Sequence, residues 1–244
     1  MNSVILCEGS TDYVLLQYFM RKAYLWEDEK EQQIFRKKFG MARVLKKENN
    51  FLSIVGCRGC NNLIPGLEFI IESNKIAGKK EELFEKIVIV TDRDEVGTEE
   101  SFIEKIKEIM NTNDVNLEQD VKNNQWIKCK IINSMGDKIG FEVLLLVIPF
   151  DENGALETFL LSSISKSDKY EKQIIDKCQN FVDNVDEEKK YLNKRRYITK
   201  AKFDVYFSVR TPVQQYVERQ NILKNVEWEK YTNVQKCFEN LGEI

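Results

Sequence analysis

The chain has 244 residues, 37 Lys and Arg against 40 Asp and Glu, a formal net charge of -3, and no histidine. That length is enough for one large domain, or a domain with an appendage, to bury a core without a disulfide or metal staple. The charge balance excludes a wholly basic nucleic-acid-coating protein, and the lack of imidazole removes the usual general base and the commonest zinc ligand. Any catalysis must therefore run on carboxylates, lysine or metal. The cysteines Cys7, Cys57, Cys60, Cys129, Cys178 and Cys237 are scattered, which favours reduced thiols over a disulfide framework. Val4 to Cys7 is too short for a signal core, and the longest apolar stretch, Val143 to Phe150, is far below the roughly 18 residues of a membrane span. A soluble cytoplasmic protein is expected.

In chain order, Val4 to Cys7 is an apolar strand that ends in Glu8-Gly9-Ser10-Thr11-Asp12. Gly9 permits a sharp turn, Ser10 or Thr11 is placed to cap a following helix, and Asp12 falls in that helix's favourable first turn. Val14, Leu15, Tyr18 and Phe19 continue at helical spacing. Residues 24–50 are crowded with charge and hold few strand patterns, so they are expected to form a partly helical surface insertion. Phe51 to Val55 reads as a buried strand with its turn at Gly56 and Gly59, followed by a helical stripe of Leu63, Leu67, Ile70 and Ile71.

Ile87 to Val90 is the clearest strand, an uninterrupted apolar run of the kind covered on both faces, and it ends in Asp92-Arg93-Asp94. An amphipathic helix through Phe102, Ile106 and Met110 follows. Two more strands, Trp126 to Ile132 and Phe141 to Ile148, flank a turn around Gly136, Asp137 and Gly140. Strands alternating with helices predict an α/β fold with a mainly parallel sheet. From Asn153 the pattern is mostly helical, with a stripe of Tyr170, Ile174, Cys178, Phe181, Val182 and Val185. Lys189, Lys190, Lys194, Arg195, Arg196, Lys200 and Lys202 then accumulate with no acid between them. That run is either a solvated helix face or an attractor for a phosphate backbone.

Two apolar strands ending in carboxylates carry most of the chemistry. In an extended chain, residues two apart share a face, so Asp92 and Asp94 can present both carboxylates on one side while Arg93 turns away. If the Glu8 and Asp92 strands are parallel neighbours, all these acids lie at the carboxyl edge, where open α/β sheets bind ligands. The alternative is an acidic loop, with Asp94 capping the next helix. Cys57-Arg58-Gly59-Cys60 has zinc-like spacing but lacks a second pair or a histidine, so it reads as structural.

Glu8-Gly9 after strand one, and Asp92-Arg93-Asp94 after a later strand, resemble the TOPRIM domain of topoisomerases, primases and related nucleases. The closer resemblance is to the TOPRIM half of OLD-family nucleases and to stand-alone TOPRIM-like proteins of similar length. In OLD-type domains a second acid follows the first glutamate by a helical turn, and Asp12 matches it. A later Leu-Glu pair resembles Leu156-Glu157 in Gly154-Ala155-Leu156-Glu157-Thr158-Phe159-Leu160-Leu161, and a lysine shortly before a phenylalanine resembles Lys200 before Phe203, with Lys202 as a competitor. The resemblance covers roughly the first 160 residues well. It implies a TOPRIM-like, Rossmann-like domain over 1–160, with the insertion at 24–50, and a helical extension over 161–244 packed on it.

By that resemblance Glu8, Asp92 and Asp94 would hold Mg2+ or Mn2+, with Asp12 and Glu157 completing or supporting a second site. Glu8 is also the candidate acid or base, and Lys200 would stabilise developing charge. No Gly-x-x-x-x-Gly-Lys-Ser/Thr loop occurs, so the ATPase module usual in OLD nucleases is expected to be missing, and a separate ATPase chain is a candidate partner. The expected function is a metal-dependent nuclease or other phosphoryl-transfer enzyme on nucleic acid, DNA ahead of RNA, with a homodimer allowed and no membrane. The alternatives are a non-catalytic subunit that binds nucleic acid or an ATPase, and a small-molecule phosphohydrolase.

Overall fold

A computed structural model of the chain describes residues 1–29, 35–211 and 219–244. Strand β1 (Asn2–Cys7) turns at Gly9 into α1 (Ser10–Tyr24), which Leu25 ends in the left-handed conformation at φ 60. Then come β2 (Glu27–Glu29), α2 (Arg36–Phe39), β3 (Met41–Lys47), β4 (Asn50–Gly56), α3 (Leu63–Ile76), β5 (Phe84–Asp92) and α4 (Thr98–Thr112). Strands β6 (Asn116–Leu117), β7 (Trp126–Ile132) and β8 (Lys138–Ile148) complete the sheet. Helices α5 (Leu156–Ser167), α6 (Lys169–Val185), α7 (Arg195–Arg210), α8 (Arg219–Asn225) and α9 (Thr232–Cys237) follow.

Among the described residues all the strands join one 8-stranded sheet in the order β2-β3-β4-β1-β5-β8-β7-β6. The inner four, β4, β1, β5 and β8, run parallel, and antiparallel strands extend the sheet at both sides. Alternation along a strand sends successive side chains to opposite faces. In β1, Val4 and Leu6 join a core with Leu67 of α3 and Ile106 of α4, while Ile5 and Cys7 join another with Leu15 of α1 and Leu160 of α5. Phe203, Trp228 and Phe238 belong to that second core, so the C-terminal helices pack on the α1 side of the sheet. Burial on both faces explains the unbroken apolar runs in β1, β5 and β8. The expected α/β architecture, with a mainly parallel centre and a helical C-terminal part, is the one observed.

Three elements of the fold differ from the expectation. The segment expected as a partly helical insertion supplies β2 and β3, and β3 pairs with β4 through a tight turn at Glu48, where φ is 55. As part of the antiparallel flank, β3 buries Val44 and Leu45 while Arg43, Lys46 and Lys47 stay exposed, so its charges hid it. Residues 30–34 of that segment lie outside the described residues. In α6 the buried face is Ile175, Cys178 and Val182, whereas Tyr170, Phe181 and Val185 are exposed. Gly140 lies within β8 instead of the preceding turn. Among the described residues no helix is long and apolar enough to cross a membrane.

One buried side chain fixes where β5 begins. Asn74 of α3 is wholly buried, its Oδ1 accepting from the Phe84 N–H at 2.8 Å and its Nδ2 donating to the Phe84 carbonyl at 2.9 Å. Asn74→Leu would keep the volume and strand both backbone groups. The expected loss is about 2–4 kcal/mol, read as a fall in melting temperature of roughly 5–15 °C.

Candidate functional site

Parallel register places the acids. Cys7 of β1 pairs with Val90 of β5, so Glu8 lies level with Thr91 at the carboxyl ends of the strands. The chain leaves β1 for α1 on one face and leaves β4 for α3 on the other, which makes this edge a crevice between oppositely directed connections. Glu8 accepts from Thr91 Oγ1 at 3.2 Å, and the backbone amides of Asp92 and Cys60 also favour its charge. The β4–α3 turn comes this close because Gly59, at φ 121, directs its N–H to the Glu8 carbonyl at 2.8 Å. Few residues other than glycine adopt that backbone.

Neither Ser10 nor Thr11 caps α1. Gly9 holds the cap position, and the Asp12 carboxylate accepts the Gly9 N–H at 2.7 Å. Thr11 instead donates to Glu157 Oε1 at 3.1 Å, joining the start of α1 to the start of α5. Asp92 Oδ1 accepts the N–H of Leu156 at 2.9 Å. The same α5 terminus therefore binds one acid and presents the next, with Gly154 held by a backbone bond to the Arg93 carbonyl at 2.8 Å. Arg93 does turn away: its guanidinium is taken by Glu99 and by the Pro149 carbonyl.

Asp12, Asp92 and Glu157 thus converge beside Glu8, and the proton affinities of Asp12, Asp92 and Glu8 respond. Burial raises the Asp92 carboxyl well above the usual range, with Asp12, Glu8 and Glu157 adding to the effect. Burial lifts Asp12 to about 7, again with Glu157 and Glu8 contributing. Glu8 is raised by burial and then by Asp94, which lies beyond the end of β5 and is exposed. Among the described residues no lysine or arginine forms an ion pair with any of these five acids.

Among the described residues no three His, Cys, Asp or Glu side chains stand together in a metal-holding arrangement. One oxygen each of Asp12, Asp92 and Glu157 accepts from Gly9, Leu156 and Thr11. Their chemistry nevertheless fits a hard divalent cation, since buried carboxylates with no basic partner must bind either protons or a metal. Lys200 is exposed on α7 and forms no bond to the acids, and its competitor Lys202 is paired with Asp183 at 2.8 Å. Cys57 is buried and its thiol is pushed up to about 12, in keeping with a structural role. Thr91 is not among the residues that the sequence singles out. Its sign was a buried hydroxyl closing an otherwise apolar strand.

The chain belongs to the family described as "Protein of unknown function (DUF3226)", which it matches over residues 2–241. Its fold is similar to that of hypothetical protein PH0156 from Pyrococcus horikoshii OT3, with a TM-score of 0.53 and 16% identity over 98% of each chain. A putative glyoxalase family protein from Bacillus anthracis aligns over 59% of this chain and 94% of its own at 11% identity, but its TM-score of 0.20 carries no argument. No curated protein matches the chain.

Asp12 gives the site a sign-defined pH dependence. Its folded pKa of about 7 stands above the ordinary 3.8, so the native state binds the extra proton. Stability is unpenalised below about pH 4, falls as pH rises toward 7, and is level beyond. Asp12→Asn keeps the acceptor for Gly9 and removes the charge. In a chelator-treated protein it should be the more stable form at pH 8, by at most about 4 kcal/mol, with the difference closing near pH 4. Melting curves at both pH values check this.

Proposed function

We propose that this chain is a metal-dependent phosphoryl-transfer enzyme acting on nucleic acid, and that it is a TOPRIM nuclease of the OLD type. The observation that carries the proposal is the meeting of Glu8, Asp12, Asp92 and Glu157, from three separate stretches of sequence, at one sheet edge with no basic ion-pair partner among the described residues. Magnesium or manganese would supply an activated water and charge neutralisation for phosphodiester cleavage without histidine. In this reading Glu8, Asp92 and Asp94 hold the metal, and Asp12 and Glu157 support it or a second ion. Glu8, with its raised proton affinity, can hold and return a proton. Lys200, exposed on α7, is assigned to the substrate phosphate.

The rival is a non-catalytic module that binds nucleic acid or a partner ATPase. It draws on the service of Asp12 and Asp92 as acceptors for helix-terminal amides, a structural use that needs no ion. Cleavage of mixed DNA and RNA substrates in Mg2+ or Mn2+ separates the two. Asp92→Asn and Glu8→Gln should each abolish cleavage, by at least about 100-fold, while the protein stays folded. Unchanged activity in either variant, or no cleavage in either metal, removes the catalytic reading.

Ion binding has its own readout. An ion present at about 100 times its Kd stabilises the fold by roughly 2.7 kcal/mol. Millimolar Mg2+ or Mn2+ should therefore raise the melting temperature of the wild type by several degrees and that of Asp92→Asn by much less. A flat response in both ions counts against the metal.

A further inference from the structure

The connection between α6 and α7 is rich in cations and is ordered, which a merely solvated face does not require. The Asp186 carboxylate accepts the backbone N–H groups of Lys190, Tyr191 and Leu192 at 3.1, 2.8 and 2.7 Å. This clamp projects the Tyr191 side chain, 71% exposed, with the Lys190 ammonium over its ring at 5.3 Å. Tyr197, in the first turn of α7, carries the Arg196 guanidinium over its ring at 4.9 Å and the Lys194 ammonium at 5.9 Å.

Lys194, Arg195 and Arg196 sit at the amino end of α7, where the helix dipole favours acids and disfavours cations. Among the described residues none of them is paired with a carboxylate; the nearby acid Asp183 is taken by Lys202, and Asp186 by backbone amides, which leaves only Glu187 and Glu188 in the loop. Arg196 donates to the Tyr197 hydroxyl at 3.1 Å, but cations placed against a dipole without a carboxylate partner would be satisfied by an external polyanion. Exposed rings among those cations offer surfaces on which unpaired bases stack, whereas a duplex keeps its bases paired and stacked inside.

We propose that the α6–α7 connection is a platform for single-stranded nucleic acid, with Lys194, Arg195 and Arg196 on phosphates and Tyr191 and Tyr197 under bases. This deepens the nuclease reading by naming its substrate class, and it rests on that reading for its link to cleavage. The test is fluorescence anisotropy of the full chain with labelled single-stranded DNA, single-stranded RNA and duplexes in EDTA, across a salt series. Single strands of either sugar should bind more tightly than duplexes.

Joint charge reversal, Lys194→Glu with Arg195→Glu and Arg196→Glu, should weaken binding at least tenfold and flatten the slope of log affinity against log salt by about 2. Tyr191→Ala with Tyr197→Ala should weaken it at least about thirtyfold and leave that slope unchanged. Melting curves establish that the variants are folded. Equal affinity of the wild type and the charge-reversed form, or tighter binding to duplex or to phosphatidylserine vesicles, overturns the platform. Strand binding without cleavage in any metal keeps the platform and removes the nuclease. Cleavage untouched by the charge reversal removes the platform and keeps the nuclease.

Discussion

Parallel pairing of β1 with β5 is the constraint on which the acidic edge depends, because the match of Cys7 with Val90 brings Glu8 alongside Thr91 and Asp92. A shift of one residue in either strand would send those side chains to the opposite face. Both strands are buried on two sides, so such a slip would also exchange the residues of two packed cores. The register is thus enforced by the whole apolar interior and not by the few polar bonds at the strand ends. Asn74 adds a local pin at the other end of β5, where its amide completes the pairing of Phe84.

Against that rigid frame the acids are held in an electrostatically costly way. Asp12 is 6% exposed and Glu157 is 3% exposed, and burial together with both of these acids raises the proton affinity of the half-buried Asp92. Helix-terminal amides at Gly9 and Leu156 offset part of the cost, since backbone N–H groups favour the ionised form. The remainder persists as raised proton affinity. Arg93, the nearest basic residue in sequence, could have relieved it but is committed to Glu99. Keeping acids close together and bases away is a pattern that stability alone does not favour, and sites of this kind are where function is sought first.

What the sequence revealed depended on how local each signal was. The runs Val4 to Cys7 and Ile87 to Val90 announced buried strands because burial on both faces leaves no room for polar residues. The acids after them could be paired from the expectation that parallel strands share an edge. By contrast, β3 escaped notice because three of its residues, Arg43, Lys46 and Lys47, are charged and exposed. Helical spacing alone cannot separate the exposed Tyr170, Phe181 and Val185 of α6 from its buried Ile175. Asp12 as acceptor for Gly9, and the bond from Thr11 to Glu157, follow from tertiary placement that no spacing rule contains.

The start of α5 does two jobs at once, since Leu156 binds Asp92 and the neighbouring Glu157 receives the Thr11 hydroxyl. The acidic edge is therefore closed by a residue made long after Glu8. Because Leu156 and Glu157 lie beyond β8, the last strand, Asp92 has its amide and Thr11 its acceptor only while α5 is seated, so a change that loosens the start of α5 would strip support from the acids without touching the strands that carry them.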